Sequence, residues 1–220
     1  MLGKLFGKPK ARASSQDAQD AWYVRKSEQM ERALGPDHEV VLHAIVSYEL
    51  GGPLHTYFYC TREEGTAIAS KQLARLDGPS PTNASYLKYE LVMFTREEIA
   101  PGEVGAVAAP QLEGKLSFLR AAINAVARYG EEATLNPRET LEFPPDFEAP
   151  LAGRCFILDA YRPDCFDAEF GLMLLMEVHR DEMELARAQG AGALLELLQE
   201  AGAYPYSDPE QRRSVAARVQ

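Results

Sequence analysis

The stretch that most constrains the fold is the apolar run Gly171-Leu-Met-Leu-Leu-Met-Glu-Val178. It is too short to cross a membrane, and it lacks the alternation of apolar and polar residues that marks a strand with one face in water. Such a run is typical of a strand whose two faces are both covered. We therefore predict a central strand over residues 171–178.

A helical segment follows this strand directly. Asp181 and Glu184 have the three-residue spacing of a capping box, so we expect the helix to begin near Asp181. Gly190 and Gly192 each cost about 1 kcal/mol relative to alanine within a helix, whereas the leucines after them resume a helical apolar stripe that ends at Gly202. The pattern predicts two helices with a weak joint between them.

The remaining elements are predicted from apolar periodicity and from glycine and proline punctuation. Strands are expected over residues 39–48, 54–60, 86–94 and 154–159, and helices over residues 21–34 and 115–129. The first two strands flank Gly51-Gly52-Pro53 and are interpreted as an antiparallel hairpin. Residues 101–110 and the proline-punctuated segment up to Pro150 are interpreted as connections. These elements predict an α+β fold with a mixed, largely antiparallel sheet covered by helices.

Length and composition predict one domain with a tail. Residues 1–20 show little periodicity and are interpreted as a flexible basic tail, and residues 21–220 as a single domain. The sequence has no apolar run of membrane-spanning length and no typical leader, and its three cysteines are an odd number. We expect a cytoplasmic protein in a reducing compartment that does not associate with a membrane.

The charge is uneven along the chain. The formal net charge is −10, yet the first 16 residues carry +4, so the rest of the chain carries −14. A surface of this sign repels nucleic acid and attracts basic partners, although it can also serve solubility alone. The sequence therefore predicts a protein partner of basic character and no binding of nucleic acid.

Motifs that carry chemistry are absent. The spacing of His38 and His43 does not match a zinc hydrolase, and the sequence has no phosphate-binding glycine loop, dinucleotide-binding turn or nucleophile elbow. We therefore predict no catalytic residue, no metal and no cofactor. The rival interpretation is a small enzyme whose site assembles from His43, His55, which is expected to face it across the hairpin, His179 and nearby acids.

Two polar groups are candidates for contact with a partner. An acidic cluster that includes Asp164, Asp167 and Glu169 falls in a loop between two predicted strands, where solvation or cation binding are the alternatives. His179 and Arg180 stand where the central strand meets the helix, and an arginine there can bind a carboxylate or tie the strand end to a loop. These five residues are the predicted partner-binding residues.

Several motifs together resemble the Suppressor of fused family. They are Leu116-x-x-Leu119 leading to Ala127-Arg128-Tyr129, Leu151-x-Gly153, Glu182-Met-Glu-Leu185, the segment from Gly190 to Gly202, and Asp208-Pro209 with Arg212. The resemblance covers residues 39–215. One departure is Asn136-Pro137-Arg138-Glu139-Thr140, which stands where many bacterial members have a Gly-His-Thr element, so a site that depends on that histidine is not carried over.

The resemblance implies a mixed α/β domain that binds proteins and has no established catalysis. Animal members restrain a zinc-finger transcription factor by gripping an extended peptide, and bacterial members resemble immunity proteins of toxin systems. The leading hypothesis is a binding module that meets a basic toxin or regulatory protein, with an exposed sheet edge as a plausible place for a peptide strand. A structural homo-oligomer is a third possibility, and the oligomeric state stays open.

Overall fold

The computed structural model describes residues 10–61, 64–99 and 110–218 of the chain. Its described strands form one seven-stranded sheet in the order β1-β2-β3-β4-β7-β6-β5. In chain order the strands are β1 (Asp37–Leu42), β2 (Thr56–Cys60), β3 (Thr66–Ala69), β4 (Lys88–Thr95), β5 (Thr140–Glu142), β6 (Cys155–Ala160) and β7 (Phe170–Val178). Neighbouring strands are antiparallel except β4 and β7, which are parallel.

Strand β7 is the central strand that the apolar run predicts. It pairs with β4 on one side and β6 on the other, and all nine of its residues are buried. Leu172, Leu174 and Met176 pack into the core on one face of the sheet, while Met173 and Leu175 pack into the core on the other. The absence of polar alternation thus reflects two covered faces.

In the described part of the chain, four α-helices cover the sheet: α1 (Lys10–Leu34), α2 (Pro110–Glu132), α3 (Arg180–Gln189) and α4 (Ala191–Glu200). Helices α1, α3 and α4 place Met30, Met183 and Leu194 in one core. Helix α2 places Leu119 and Val126 in the other core. The predicted α+β class, with a mixed and largely antiparallel sheet between helices, is confirmed. Among the described residues, no helix is both long and apolar enough to cross a membrane.

The predicted hairpin forms, but its strands are shorter. Strands β1 and β2 are antiparallel, and β1 ends at Leu42 because the chain then leaves the sheet for a loop that holds a 3₁₀ turn over Tyr48–Leu50. Two strands are not predicted by the sequence. Strand β3 has only four residues, and β5 has three residues inside the proline-punctuated segment that was expected to be a connection.

Helix α1 begins at Lys10, eleven residues before the predicted start. Residues 16–21 are helical with exposed side chains, so they have no apolar stripe from which a helix could be recognised. Residues 10–20 of the segment expected to be a flexible tail are therefore helical, and residues 1–9 lie outside the described residues. The division into a basic tail and a single domain stays a prediction, and the predicted connection 101–110 lies outside the described residues except for Pro110, which starts α2.

Helix α3 begins within one residue of the predicted start, but its capping residue differs from the prediction. The carboxylate that caps this helix belongs to Glu182, whose Oε2 accepts a hydrogen bond from the backbone N–H of His179 over 2.9 Å. Helix α3 therefore begins at Arg180, and Glu184 does not serve as the predicted capping residue. The predicted joint is confirmed, since Gly190 has a φ of 97° and separates α3 from α4.

Candidate protein-interaction surface

The acidic residues of the predicted site lie at the start of β7 and anchor their loop. Asp167 accepts hydrogen bonds from Gln29 Nε2 at 2.8 Å and from the backbone N–H groups of Glu169 and Phe170. Burial opposes ionisation of Asp167, but these hydrogen bonds outweigh it and lower its pKa. Glu169 binds Arg25 of α1 at 2.6 Å. Asp164 lies in an exposed 3₁₀ turn just before them.

His179 and Arg180 lie at the other end of β7. His179 Nε2 is 3.3 Å from the carbonyl oxygen of Arg212, and Arg180 Nη1 donates to Glu142 Oε1 over 2.6 Å. Since β7 is nine residues long, its two ends are about 26 Å apart at 3.3 Å per residue. The structure therefore places the five predicted partner-binding residues in two groups, one at each end of β7.

The histidines of the rival enzyme hypothesis are only partly brought together. His43 Nδ1 and His55 Nδ1 are 3.4 Å apart, as the hairpin predicts. Burial lowers the pKa of His55, and the nearby charge of His43 lowers it further. His179 lies three strand positions away from β2, which is about 14 Å across the sheet. Within the described part of the chain, no three side chains of His, Cys, Asp or Glu are grouped closely enough to hold a metal ion.

A groove that the sequence does not predict lies between α2 and β5. It has a volume of about 440 Å³ and is walled mainly by apolar side chains, among them Leu141 and Phe143. Two of its walls are Tyr129 and Phe147, which remain 51% and 40% exposed. Large apolar side chains that converge on one opening while open to water are a signature of a binding surface. In the sequence, only the aromatic residues within the proline-punctuated segment indicate this groove.

Strand β5 forms one edge of this groove and one edge of the sheet. It pairs with β6 on its inner side, and no strand of the described residues pairs with its outer side. Arg180 and Arg187 of α3 hold it in place through Glu142, at 2.6 and 3.4 Å. The hydrogen bond from Arg180 lowers the pKa of Glu142. The edge is thus fixed in position and open to pairing with another chain.

Residues 136–140, which depart from the family pattern, lead into β5. Asn136 donates from its backbone N–H and from Nδ2 to the carboxylate of Glu139, at 2.9 and 2.8 Å. The backbone N–H of Arg138 donates to the carbonyl of Leu158 in β6 over 2.7 Å. The segment therefore turns the chain into β5 and carries no histidine.

Acidic side chains surround the groove. Glu139 and Glu142 line it, and Asp146 and Glu148 flank Phe147 in exposed positions. Glu132, at the end of α2, is exposed as well. Glu142 pairs with two arginines, so this cluster carries a net charge of +1, and the other four acids form a negative rim on the rest of the groove.

The motif residues behind the family resemblance hold the fold together. Arg212 forms a bidentate pair with the buried Glu182. Asp208 is paired with Lys115 of α2 at 2.5 Å. Arg128 lies over the Tyr48 ring at 3.6 Å and ties α2 to the loop after β1. These contacts fix the chain segments that pack around the sheet.

Solved structures of similar fold come from Suppressor of fused proteins. A chain of the Sufu–Fu complex crystal structure is 15% identical with a TM-score of 0.59, and the match covers 91% of this chain and 93% of that one. Drosophila Suppressor of Fused is 15% identical with a TM-score of 0.53, over 79% of this chain and 46% of that one. A protein described as a Suppressor of fused homolog from Neisseria gonorrhoeae is 10% identical with a TM-score of 0.55, over 90% and 97%.

No protein-family model and no curated protein matches the sequence. The three structural matches each extend over most of this chain, with the same class of sheet and helices. The resemblance noted in the sequence and the fold agree. The chain therefore has the fold of the Suppressor of fused proteins.

Proposed function

We propose that this chain is a non-catalytic protein-binding module that captures an extended, basic segment of its partner along β5. The observation that carries the proposal is the open edge of β5 beside the apolar groove with Tyr129 and Phe147 at its walls. An added strand gains backbone hydrogen bonds from the sheet edge, while alternate side chains of the added strand enter the groove. The backbone groups of β5 then provide affinity, and the side chains of the groove provide selectivity.

Charge supports a basic occupant. The acids around the groove belong to a chain that carries −14 outside its first 16 residues. A negative rim speeds the encounter with a basic segment and disfavours acidic ones. The similar chain in the Sufu–Fu complex comes from a protein crystallised with a partner, which is consistent with a binding role for this fold.

The finer proposal is that the partner is a toxin acting in the cytoplasm, which the module neutralises by covering its working surface. A regulatory protein of basic character is the alternative partner. Expression of the adjacent gene, alone and together with this chain, distinguishes a toxin from a regulatory protein, because a toxin arrests growth when it is expressed alone. Rescue of growth by this chain supports neutralisation, and an adjacent product that is harmless alone contradicts it.

The binding surface is tested with an immobilised library of random octapeptides. The wild-type chain should retain basic peptides of extended character, and Phe147→Asp and Tyr129→Asp should each weaken binding at least tenfold, because each places a charge in the apolar groove. The matched control is Val24→Asp, which changes an exposed apolar residue of α1 on the opposite face of the sheet.

Hydrogen exchange provides the second measurement. Binding of a selected peptide should protect the amides of β5 (Thr140–Glu142) if the peptide adds a strand there. Equal retention of peptides by wild-type and Phe147→Asp chains, or protection confined to other strands, would contradict the proposed surface. Retention of no peptide at all would contradict the binding mode.

A further inference from the structure

Two histidines face each other at the end of the β1–β2 hairpin where the connecting loop begins and ends. The antiparallel register pairs Val41 with Tyr57 and Leu42 with Thr56, so the next opposing position joins His43 and His55. Their Nδ1 atoms are 3.4 Å apart, and the rings are inclined at 81° with centroids 4.8 Å apart. The two Nδ1 atoms are therefore close enough to share one ligand.

The distance between the two Nδ1 atoms is compatible with a shared ligand. At 3.4 Å it lies at the long end of the range for a hydrogen bond from nitrogen, which centres near 2.9–3.0 Å. Two imidazole nitrogens bound to one tetrahedral Zn²⁺ at about 2.0–2.1 Å are separated by about 3.4 Å. The two rings therefore need little rearrangement to exchange a long hydrogen bond for a shared metal ion.

The surrounding contacts hold this geometry. The backbone N–H of His55 donates to Gln72 Oε1 over 2.6 Å. Arg128 Nη2 donates to the carbonyl oxygens of Tyr48 and Gly52, each over 2.7 Å, and so fixes the loop that joins the two histidines. A ligand pair fixed before the metal arrives loses little conformational freedom on binding.

The position is also open to solvent. His43 is exposed and His55 is half-buried. The nearest acid along the loop, Glu49, is occupied by Arg75 at 2.5 Å. Two protein ligands with the other positions left to water or to a partner describe an open site, in contrast to the four-ligand shell of a structural zinc.

We propose that His43 and His55 form a surface site for a divalent transition-metal ion of the Zn²⁺ or Ni²⁺ class, bound through both Nδ1 atoms. Neutral imidazoles suit these ions, whereas Mg²⁺ and Ca²⁺ prefer oxygen ligands. The loop that joins the two histidines also carries the exposed apolar side chains of Ile45 and Leu50, so a bound ion with free positions adds a polar anchor to that loop. It is independent of the groove at β5, which lies at the opposite edge of the sheet.

The test is a titration with ZnCl₂ followed by calorimetry. Cys60 is a competing ligand, since its Sγ lies 2.9 Å from His38 Nε2, so every protein carries Cys60→Ser. Binding of one Zn²⁺ per chain is expected, weakened at least tenfold by His43→Ala and by His55→Ala. The matched control is His179→Gln, which removes a histidine distant from the hairpin and should leave the affinity unchanged.

Histidine ring resonances in NMR spectra show which residues hold the ion. Zn²⁺ should shift the ring signals of His43 and His55 together and leave His179 unaffected, while Mg²⁺ at the same concentration should shift none. A chain that binds no Zn²⁺, or whose affinity is unchanged by both alanine substitutions, would show that the two rings form only a long hydrogen bond. Either result overturns the proposal.

Discussion

Lys26 of α1 donates a hydrogen bond to Glu90 of β4 over 2.8 Å, and both side chains are buried. The Glu90 carboxylate also accepts from Ser70 Oγ and from the backbone N–H groups of Leu73 and Ala74. The Lys26 ammonium makes further hydrogen bonds to two backbone carbonyls. A buried charge pair with every lone pair and proton satisfied ties the first helix to the sheet and to the segment between β3 and β4.

Removal of one partner of this pair should be strongly destabilising. Lys26→Met leaves the Glu90 carboxylate buried without its counter-charge, and we expect a loss of about 3–5 kcal/mol in the free energy of unfolding. Urea denaturation measures it. The matched control is Arg25→Ala, which breaks the exposed pair with Glu169 on the same helix and should cost less than about 1 kcal/mol. Equal losses in the two variants would contradict the anchoring role of Lys26.

Glu177 gives the chain a stability that depends on pH. Burial raises the pKa of Glu177 to about 7, although Arg154 opposes the shift through a hydrogen bond of 2.7 Å. The native state therefore binds the proton more tightly than the unfolded chain, and stability falls as the pH rises from about 4.5 to about 7. Glu177→Gln mimics the protonated carboxyl group. At pH 8 the free energy of unfolding of this variant should therefore exceed that of the wild type by about 3 kcal/mol.

Denaturant unfolding at pH 5 and at pH 8 measures this effect. The gain from Glu177→Gln should be large at pH 8 and small at pH 5. Glu142→Gln is the control: because Arg180 lowers the pKa of Glu142, this carboxylate stays ionised above pH 5, and its replacement should cost nearly the same stability at pH 5 and at pH 8. A gain from Glu177→Gln that is the same at both pH values would show that its carboxyl does not titrate in this range.

Gly171 is the second residue of the central strand and lies against the ring of Tyr86. A Cβ atom at this position would overlap three carbon atoms of that ring. We expect Gly171→Ala to cost about 1–3 kcal/mol, because the buried ring has to move within a packed core. The double variant Gly171→Ala, Tyr86→Ala removes the overlap, so it should be less destabilised than the sum of the two single changes. Additive losses in thermal unfolding would contradict this packing.

The parts of the fold that the sequence predicts are those set by local pattern. The apolar run of β7 has no polar alternation because both faces are covered, and the apolar stripe of α2 faces one core. Gly190 ends α3 at the joint that the low helix propensity of glycine predicts. The hairpin between β1 and β2 predicts the proximity of His43 and His55, because opposing positions in an antiparallel pair follow from the turn.

The parts of the fold that the sequence does not predict depend on contacts between residues that are distant in sequence. Strand β5 has three residues and exists as a strand because β6 pairs with it. The groove combines α2, β5 and the loop that carries Phe147, and nothing local marks these residues as neighbours. The separation of Asp167 from Arg180 has a local cause, since the extended strand β7 lies between them in the sequence.

Arg212 anchors the end of the described chain to α3. Its guanidinium binds the fully buried Glu182 carboxylate in a bidentate manner, and the same carboxylate accepts from the backbone N–H of Val215 over 2.8 Å. Arg212→Ala leaves that buried carboxylate without a counter-charge, so we expect a loss of about 3–5 kcal/mol in the free energy of unfolding and faster hydrogen exchange at the Val215 amide.

The control is Arg213→Ala, which changes an exposed neighbour and should leave both measurements close to wild type. Because Lys cannot reproduce the two parallel hydrogen bonds, Arg212→Lys should restore only part of the stability. If Arg212→Ala and Arg213→Ala unfolded at the same urea concentration, the ion pair would contribute nothing to holding this segment, which would then depend on its other contacts, among them that of Val215 with the core.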